Sequence, residues 1–157
     1  PAKLSYGGHV LMENRNGLCV DILVTESTQA EHRAARSMLT RARRRHIHPK
    51  TLAADKGYHV KDFVAHLREH GVRPHIARID KRNTPGLDGR TTRTDGYRIS
   101  QRKRKRVEEI FGWLKTVGGL RKTRFIGQAK TQMAAFISGA AYNLLRIAKL
   151  SNSGEAV

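Results

Sequence analysis

Thr51-Leu52-Ala53-Ala54-Asp55-Lys56-Gly57-Tyr58 decides how this chain is read. A short apolar run that stops at an Asp-Lys-Gly turn predicts a buried strand with a carboxylate at its C-terminal end. Upstream, Thr28-Gln29-Ala30-Glu31 has the spacing of a capping box, and Ala30, Ala34, Ala35, Met38, Leu39 and Ala42 recur at helical intervals. A helix over residues 29–45 follows. Its other face carries Arg33, Arg36, Arg41, Arg43 and Arg44, either a solvated surface or one that faces phosphates. Further upstream, apolar runs over 8–14 and 17–25 flank Asn16-Gly17, whose tolerance of positive φ predicts an antiparallel hairpin. Downstream, Val60, Phe63, Val64 and Leu67 fall on one side of a helix that Gly71 stops. Residues 72–79 read as another strand, which Pro74 puts at a sheet edge or restricts to its later residues.

Residues 80–97 hold Pro85, several glycines and many charges without apolar periodicity, and read as a loop. Beyond them the composition changes. Residues 98–115 predict one strongly basic helix, Val117-Gly118-Gly119 a break, and residues 128–150 an apolar, buried helix. The order β-β-α-β-α-β, loop, α, α is mixed α/β.

The chain has 157 residues with 31 Lys plus Arg against 13 Asp plus Glu, a formal charge of +18. That imbalance excludes an ordinary metabolic enzyme and points to a polyanionic partner, nucleic acid before anionic membrane. With 38% hydrophobic residues the chain can bury a core, so it is no disordered tail. The most apolar stretch, residues 133–150, is interrupted by Ser138, Gly139, Asn143, Arg146 and Lys149, short of the roughly 20 apolar residues of a membrane span. Cys19 alone permits neither an internal disulfide nor a cysteine-rich zinc site, and no secretory signal is legible, so a cytoplasmic, nucleoid-associated protein is expected. An opening Pro followed at once by strand-like sequence suggests the C-terminal piece of something longer.

In the basic helix Arg104, Glu108 and Lys115 lie at i−4, i and i+7, within about 40° of one another on a helical wheel. Val107, Ile110, Phe111 and Leu114 cluster on a neighbouring face, which would leave Glu108 at the edge of a core among cations. Gly112, on the same side, would admit a nucleic-acid strand. One reading of Glu108 is a simple ion pair with Arg104, worth only about 0.2–0.5 kcal/mol. The other joins it to Asp55: two oxygen ligands from separate elements suit Mg²⁺, which takes one or two carboxylates and completes its shell with water and phosphate.

Ala54-Asp55-Lys56-Gly57-Tyr58, residues 104–115 and Gly119-Leu120-Arg121-Lys122-Thr123-Arg124 closely resemble the C-terminal catalytic region of bacterial insertion-sequence DDE transposases. The resemblance spans nearly the whole chain. It implies a ribonuclease-H-like mixed sheet flanked by helices, in which three acids bind two Mg²⁺ or Mn²⁺ ions and catalyse cleavage and joining at transposon ends. Asp55 then matches the second acid and Glu108 the third, as catalytic residues and metal ligands. Arg104 and Lys115 match the cations of the family's Tyr-x2-Arg-x3-Glu-x6-Lys signature and are expected to hold DNA phosphates, with Lys56, Arg121 and Arg124 as further DNA contacts. The signature's Tyr position is Gln101, and Tyr97 is out of register. The first strand, with the first acid, is missing from this reading, and Asp21 reads better as a sheet-surface acid than as its substitute. The implied organisation is one partial catalytic domain over 1–157, with the second acid in 1–79, the loop over 80–97 and the third acid in the helical part over 98–157. Such a piece would bind double-stranded DNA, with affinity that falls steeply with salt, and would not cut it alone. A homodimer is expected in the transposition complex. The alternative is a non-catalytic basic DNA-binding module or an inactive transposase remnant; an RNA-binding protein is disfavoured by an aromatic content of 6%.

The remaining signals are local. His66-Leu67-Arg68-Glu69-His70 matches the H-x-x-E-H pattern of inverted zinc peptidases, but reads better as a surface pair at a helix C-terminus. His46-Ile47-His48 reads as the end of a basic helix, Trp113 as partly buried rather than base-stacking, and Cys19 as a small core residue.

Overall fold

The structure, a computed structural model, describes residues 5–79 and 83–152. The chain folds as two compact units, Pro1–Ala30 with Arg106–Val157 in the first and Glu31–Lys105 in the second. Its elements are β1 (Tyr6–Met12), β2 (Cys19–Glu26), α1 (Glu31–Arg44), β3 (Thr51–Ala54), α2 (Lys61–Glu69), β4 (Arg73–Ile76), α3 (Gly89–Thr92), α4 (Asp95–Lys103), α5 (Arg106–Thr116) and α6 (Gln128–Asn152). Mixed α/β is therefore the architecture, with two two-stranded sheets among the described residues, β1-β2 antiparallel and β3-β4 parallel. Among the described residues no helix is long and apolar enough to cross a membrane.

In the first unit the expected hairpin forms in register Tyr6↔Glu26 to Leu11↔Asp21, with a bulge at Leu11/Met12. Gly17 supplies φ 74° in its turn, and the Glu13 carboxylate accepts the Asn16 backbone N–H at 3.0 Å. Asp21 is buried in β2, so the sheet-surface reading is corrected. Ile22 and Val24 pack with Ile110 and Leu114 of α5 and Ala135 and Tyr142 of α6. Trp113 is half-buried and meets the Tyr142 ring edge-on at 5.9 Å, as its apolar setting predicts.

Polar bonds fix where α6 lies along β2. Gln132 accepts the Val24 N–H at 2.8 Å and donates to the Ile22 carbonyl at 3.0 Å, and Gln128 donates to the Val24 carbonyl at 2.8 Å. Asn143 pairs with both the N–H and the C=O of Cys19, each at 2.8 Å. These amides present to β2 the groups another strand would, and so close that edge to further pairing. The backbone comes so close that a Cβ at Gly139 would lie 2.5 Å from Ile22 Cδ1. The buried helix expected over 128–150 is corrected, because α6 exposes Met133, Ile137, Leu144 and Leu145.

In the second unit β3 and β4 pair from Thr51↔Arg73 to Ala54↔Ile76, with α2 as the crossover that parallel strands require. The core is Ala35 and Leu39 of α1, Phe63, Val64 and Leu67 of α2, Val72, Ile76 and Leu87. Gly71, at φ 71°, ends α2 as predicted: its N–H bonds to the Arg68 carbonyl and that of Val72 to the Leu67 carbonyl. β3 is half-buried rather than buried, and β4 is shorter than the expected 72–79, with Pro74 tolerated because β4 has one strand partner among the described residues.

Two expectations fail here. The loop over 80–97 holds two helix starts, capped by the Asp88 carboxylate accepting from Arg90 N and by the Thr94 hydroxyl accepting from Tyr97 N; residues 80–82 lie outside the described residues. The single basic helix over 98–115 is two helices, α4 ending at Lys103 and α5 starting at Arg106. Five consecutive cations, Arg102 to Arg106, span the break, and like charges at i and i+4 oppose a continuous helix there.

Gln132→Leu should leave the Val24 N–H and Ile22 C=O without their partner and cost about 1–3 kcal/mol in urea denaturation. Met133→Gln, on the exposed side of the same helix, should change stability by less than about 0.5 kcal/mol.

Candidate active site

Asp55 sits at the C-terminal end of β3, where the last strand residue gives way to a single 3-10 turn, Lys56–Tyr58. It caps that turn, Oδ1 accepting the Gly57 N–H at 2.8 Å. This fixes the carboxylate and, among the described residues, leaves Oδ2 without a hydrogen bond or ion pair. The side chain is exposed at the carboxyl end of a parallel strand, the place where open α/β sheets bind ligands. Lys56 is exposed beside it.

A second carboxylate was missed as a site residue. Glu31, read from sequence as half of a capping box, opens α1 and turns toward the same turn: a Cβ on Gly57 would lie 3.1 Å from Asp55 Oδ1 and 3.3 Å from Glu31 Oε2. A side chain at Gly57 would crowd both acids. Their charge also reaches Tyr58, whose hydroxyl is pushed well above the usual phenol range, by burial first and then by Glu31 and Asp55. No one-dimensional signal pairs residues 31 and 55; the Asp-x-Gly turn is its nearest trace.

Gln101 links the strand ends to Arg104. Its amide N–H groups reach the Ala54 carbonyl at 3.4 Å and the His75 carbonyl, while its Oε1 accepts Arg104 Nε at 2.8 Å. Arg104 is thereby tied to the strand ends that carry Asp55. Tyr97 serves the same edge, its hydroxyl donating to the Ile76 carbonyl at 2.9 Å. Because α4 and α5 are separate helices, the expected stripe Arg104, Glu108, Lys115 is corrected: Arg104 caps α4 in the second unit, and only Glu108 and Lys115 share α5 in the first.

Glu108 is exposed in the first turn of α5, with Lys115 exposed two turns on. Gly112, between them, is open: a Cβ there would meet nothing within 4 Å. Arg121 lies in the 3-10 turn Leu120–Lys122, introduced by Gly119 at φ 65°, and Arg124 follows it, both exposed. Among the described residues none of Lys56, Lys115, Arg121 and Arg124 is neutralised by an ion pair. A polyanion would therefore meet them without displacing an internal partner.

The H-x-x-E-H residues do come together: ligand atoms of His66, Glu69 and His70 all lie within 4.8 Å of one another. His66 is held below the usual imidazole range by burial, by His70 and by Arg36. His75, only 2% exposed, bonds Ser100 Oγ through Nδ1 at 2.7 Å, and burial, then Arg73 and Arg68, lower its pKa.

The family model described as Transposase DDE domain matches residues 3–144. No curated protein and no solved structure matches the chain.

For both histidines the folded value lies below the unfolded one, about 6.5. The native chain therefore binds fewer protons than the unfolded one once the pH drops. Their contribution is complete above about pH 6.5 and is lost as the pH falls below it. His75→Asn should flatten the dependence of thermal stability on pH between about 7 and 5.5; an unchanged slope contradicts the assignment.

Proposed function

The chain belongs to the family of the transposase DDE domain, and on that footing we propose that Asp55 and Glu108 are two of its catalytic, metal-binding acids. The activity that goes with them is divalent-metal-dependent cleavage and joining of DNA strands at transposon ends. The observation that carries this reading is Asp55 itself: an exposed carboxylate at a parallel strand end, one oxygen fixed by the Gly57 N–H and the other unengaged among the described residues. Hard oxygen donors of this kind fit Mg²⁺ or Mn²⁺, and Glu31 beside Asp55 adds another. Two such ions, when bound, activate the attacking oxygen and stabilise the leaving one.

The chain's own residues supply the rest. Arg104, oriented by Gln101, is a fixed donor for a phosphate oxygen rather than a swinging charge. Lys115, Lys56, Arg121 and Arg124 add sequence-independent attraction to duplex DNA through released counterions. Open space at Gly112 lets a strand approach α5 next to Glu108. A ribonuclease-H-like sheet is the fold we assign. With β2 closed by the α6 amides, β1 keeps the edge on which a strand carrying a further acid would pair.

In the intact native protein, Asp55→Asn and Glu108→Gln should each lower Mg²⁺-dependent strand cleavage at least about 100-fold, the scale of losing one charge-stabilising group. DNA affinity should change little. Arg104→Ala should weaken DNA binding and reduce its salt slope by about 1. Cleavage unaltered in Glu108→Gln removes that residue from the site. DNA binding without metal-dependent cleavage in the unsubstituted protein favours a non-catalytic basic module.

A further inference from the structure

The last turn of α2 carries chemistry that the transposase reading does not use. Helical spacing sets His66 and His70 one above the other, their ring centroids 4.1 Å apart and tilted by 42°. Glu69 lies within the same 4.8 Å cluster of ligand atoms, exposed like His70, whereas His66 is half-buried. The His70 ring has a defined tautomer. Its Nδ1 is 2.8 Å from the His66 carbonyl oxygen, and a carbonyl only accepts, so Nδ1 carries the proton and Nε2 keeps the lone pair. That is the arrangement of a metal-ligating histidine, one nitrogen fixed by a carbonyl and the other turned to the ion. The turn itself is pinned: Gly71 and Val72 return their N–H groups to Arg68 and Leu67, and Arg43 donates to the His70 carbonyl.

We propose that His66, His70 and Glu69 form a binding site for a borderline transition-metal ion such as Zn²⁺ or Ni²⁺. Two imidazoles and one carboxylate select such ions over Mg²⁺, which prefers oxygen and its own water. The site differs in kind from the all-oxygen donors at Asp55. It is a binding site and not a peptidase centre. The adjoining hollow between Leu39, Thr40, Arg43, His66, His70 and Val72 has a volume of about 10 Å³, room for one water and no substrate. Glu69, next to His70 in sequence and one turn on from His66, completes the ligand set. Arg36 and Arg43 weaken the attraction for a cation, which sets this as a site of modest affinity. A bound ion clips the end of α2, and because it binds the folded state it raises the unfolding temperature.

Calorimetric titration of the full chain with Zn²⁺, in excess Mg²⁺ to occupy oxygen-donor sites, should show one ion per chain. His70→Ala and His66→Ala should each weaken it by about 10-fold or more, since losing a ligand costs at least as much as losing an outer-shell partner. Replacing the exposed pair His46 and His48 by Ala should leave it unchanged. Because His66 is half-buried, the unsubstituted chain provides a second readout: Zn²⁺ should shift the side-chain ¹⁵N resonances of His66 and His70 together. No saturable uptake, uptake that persists in His70→Ala, uptake lost with His46 and His48, or shifts confined to other histidines overturns the proposal.

Discussion

Strand edges that need partners govern this molecule. A two-stranded sheet is marginal in water, because each strand leaves half its backbone groups to be satisfied elsewhere. Both units meet the need in the same way, with polar side chains from a helix. In the first, Gln128, Gln132 and Asn143 of α6 bond the backbone of β2 from Cys19 to Val24. In the second, Gln101 and Tyr97 of α4 bond the carbonyls of Ala54, His75 and Ile76 at the ends of β3 and β4. Apolar packing supplies the bulk attraction in each core, while these bonds set where each helix sits along its strands.

The functional residues inherit their positions from that arrangement. Gln101 uses its amide N–H groups on the strand ends and its carbonyl oxygen on Arg104, so a single side chain relates that cation to the strand that carries Asp55. Asp55 in turn uses one oxygen to cap its own turn, and among the described residues the other makes no hydrogen bond or ion pair. In the first unit, α5 packs through Ile110 and Leu114 into the core that α6 and β2 share, which leaves Glu108, Gly112 and Lys115 on its outer side. Rigid elements thus hold the acids and cations that the transposase DDE family membership brings to attention.

Much of this was legible in the sequence where apolar periodicity or turn chemistry carried the signal. The hairpin around Gly17, the strand ending at Asp55 and the helix stopped by Gly71 are cases in point. Reading failed where the packing face of a helix is polar. α4 turns Tyr97, Ser100, Gln101 and Arg104 toward bonded partners at helical spacing, and no hydrophobic pattern marks that face. The stripe through Arg104, Glu108 and Lys115 rested on a continuous helix, which five adjacent cations interrupt. α6 looked buried because its composition is apolar, but its anchoring is done by two Gln and one Asn, so apolar residues elsewhere on it remain exposed. Glu31 was visible only as a helix-start residue, since its approach to Gly57 is a tertiary fact.

The central proposal is that Asp55 and Glu108 are both metal-binding acids of this transposase DDE domain. Paramagnetic broadening by Mn²⁺ in the amide NMR spectrum of the native protein tests it most directly. The account predicts that the signals of Lys56 and Gly57 and those of Glu108 and Glu109 fade together over the same, substoichiometric range of added ion, and that Mg²⁺ restores both sets. Loss of signal around Gly57 with the Glu108 region untouched, or the reverse, would contradict it.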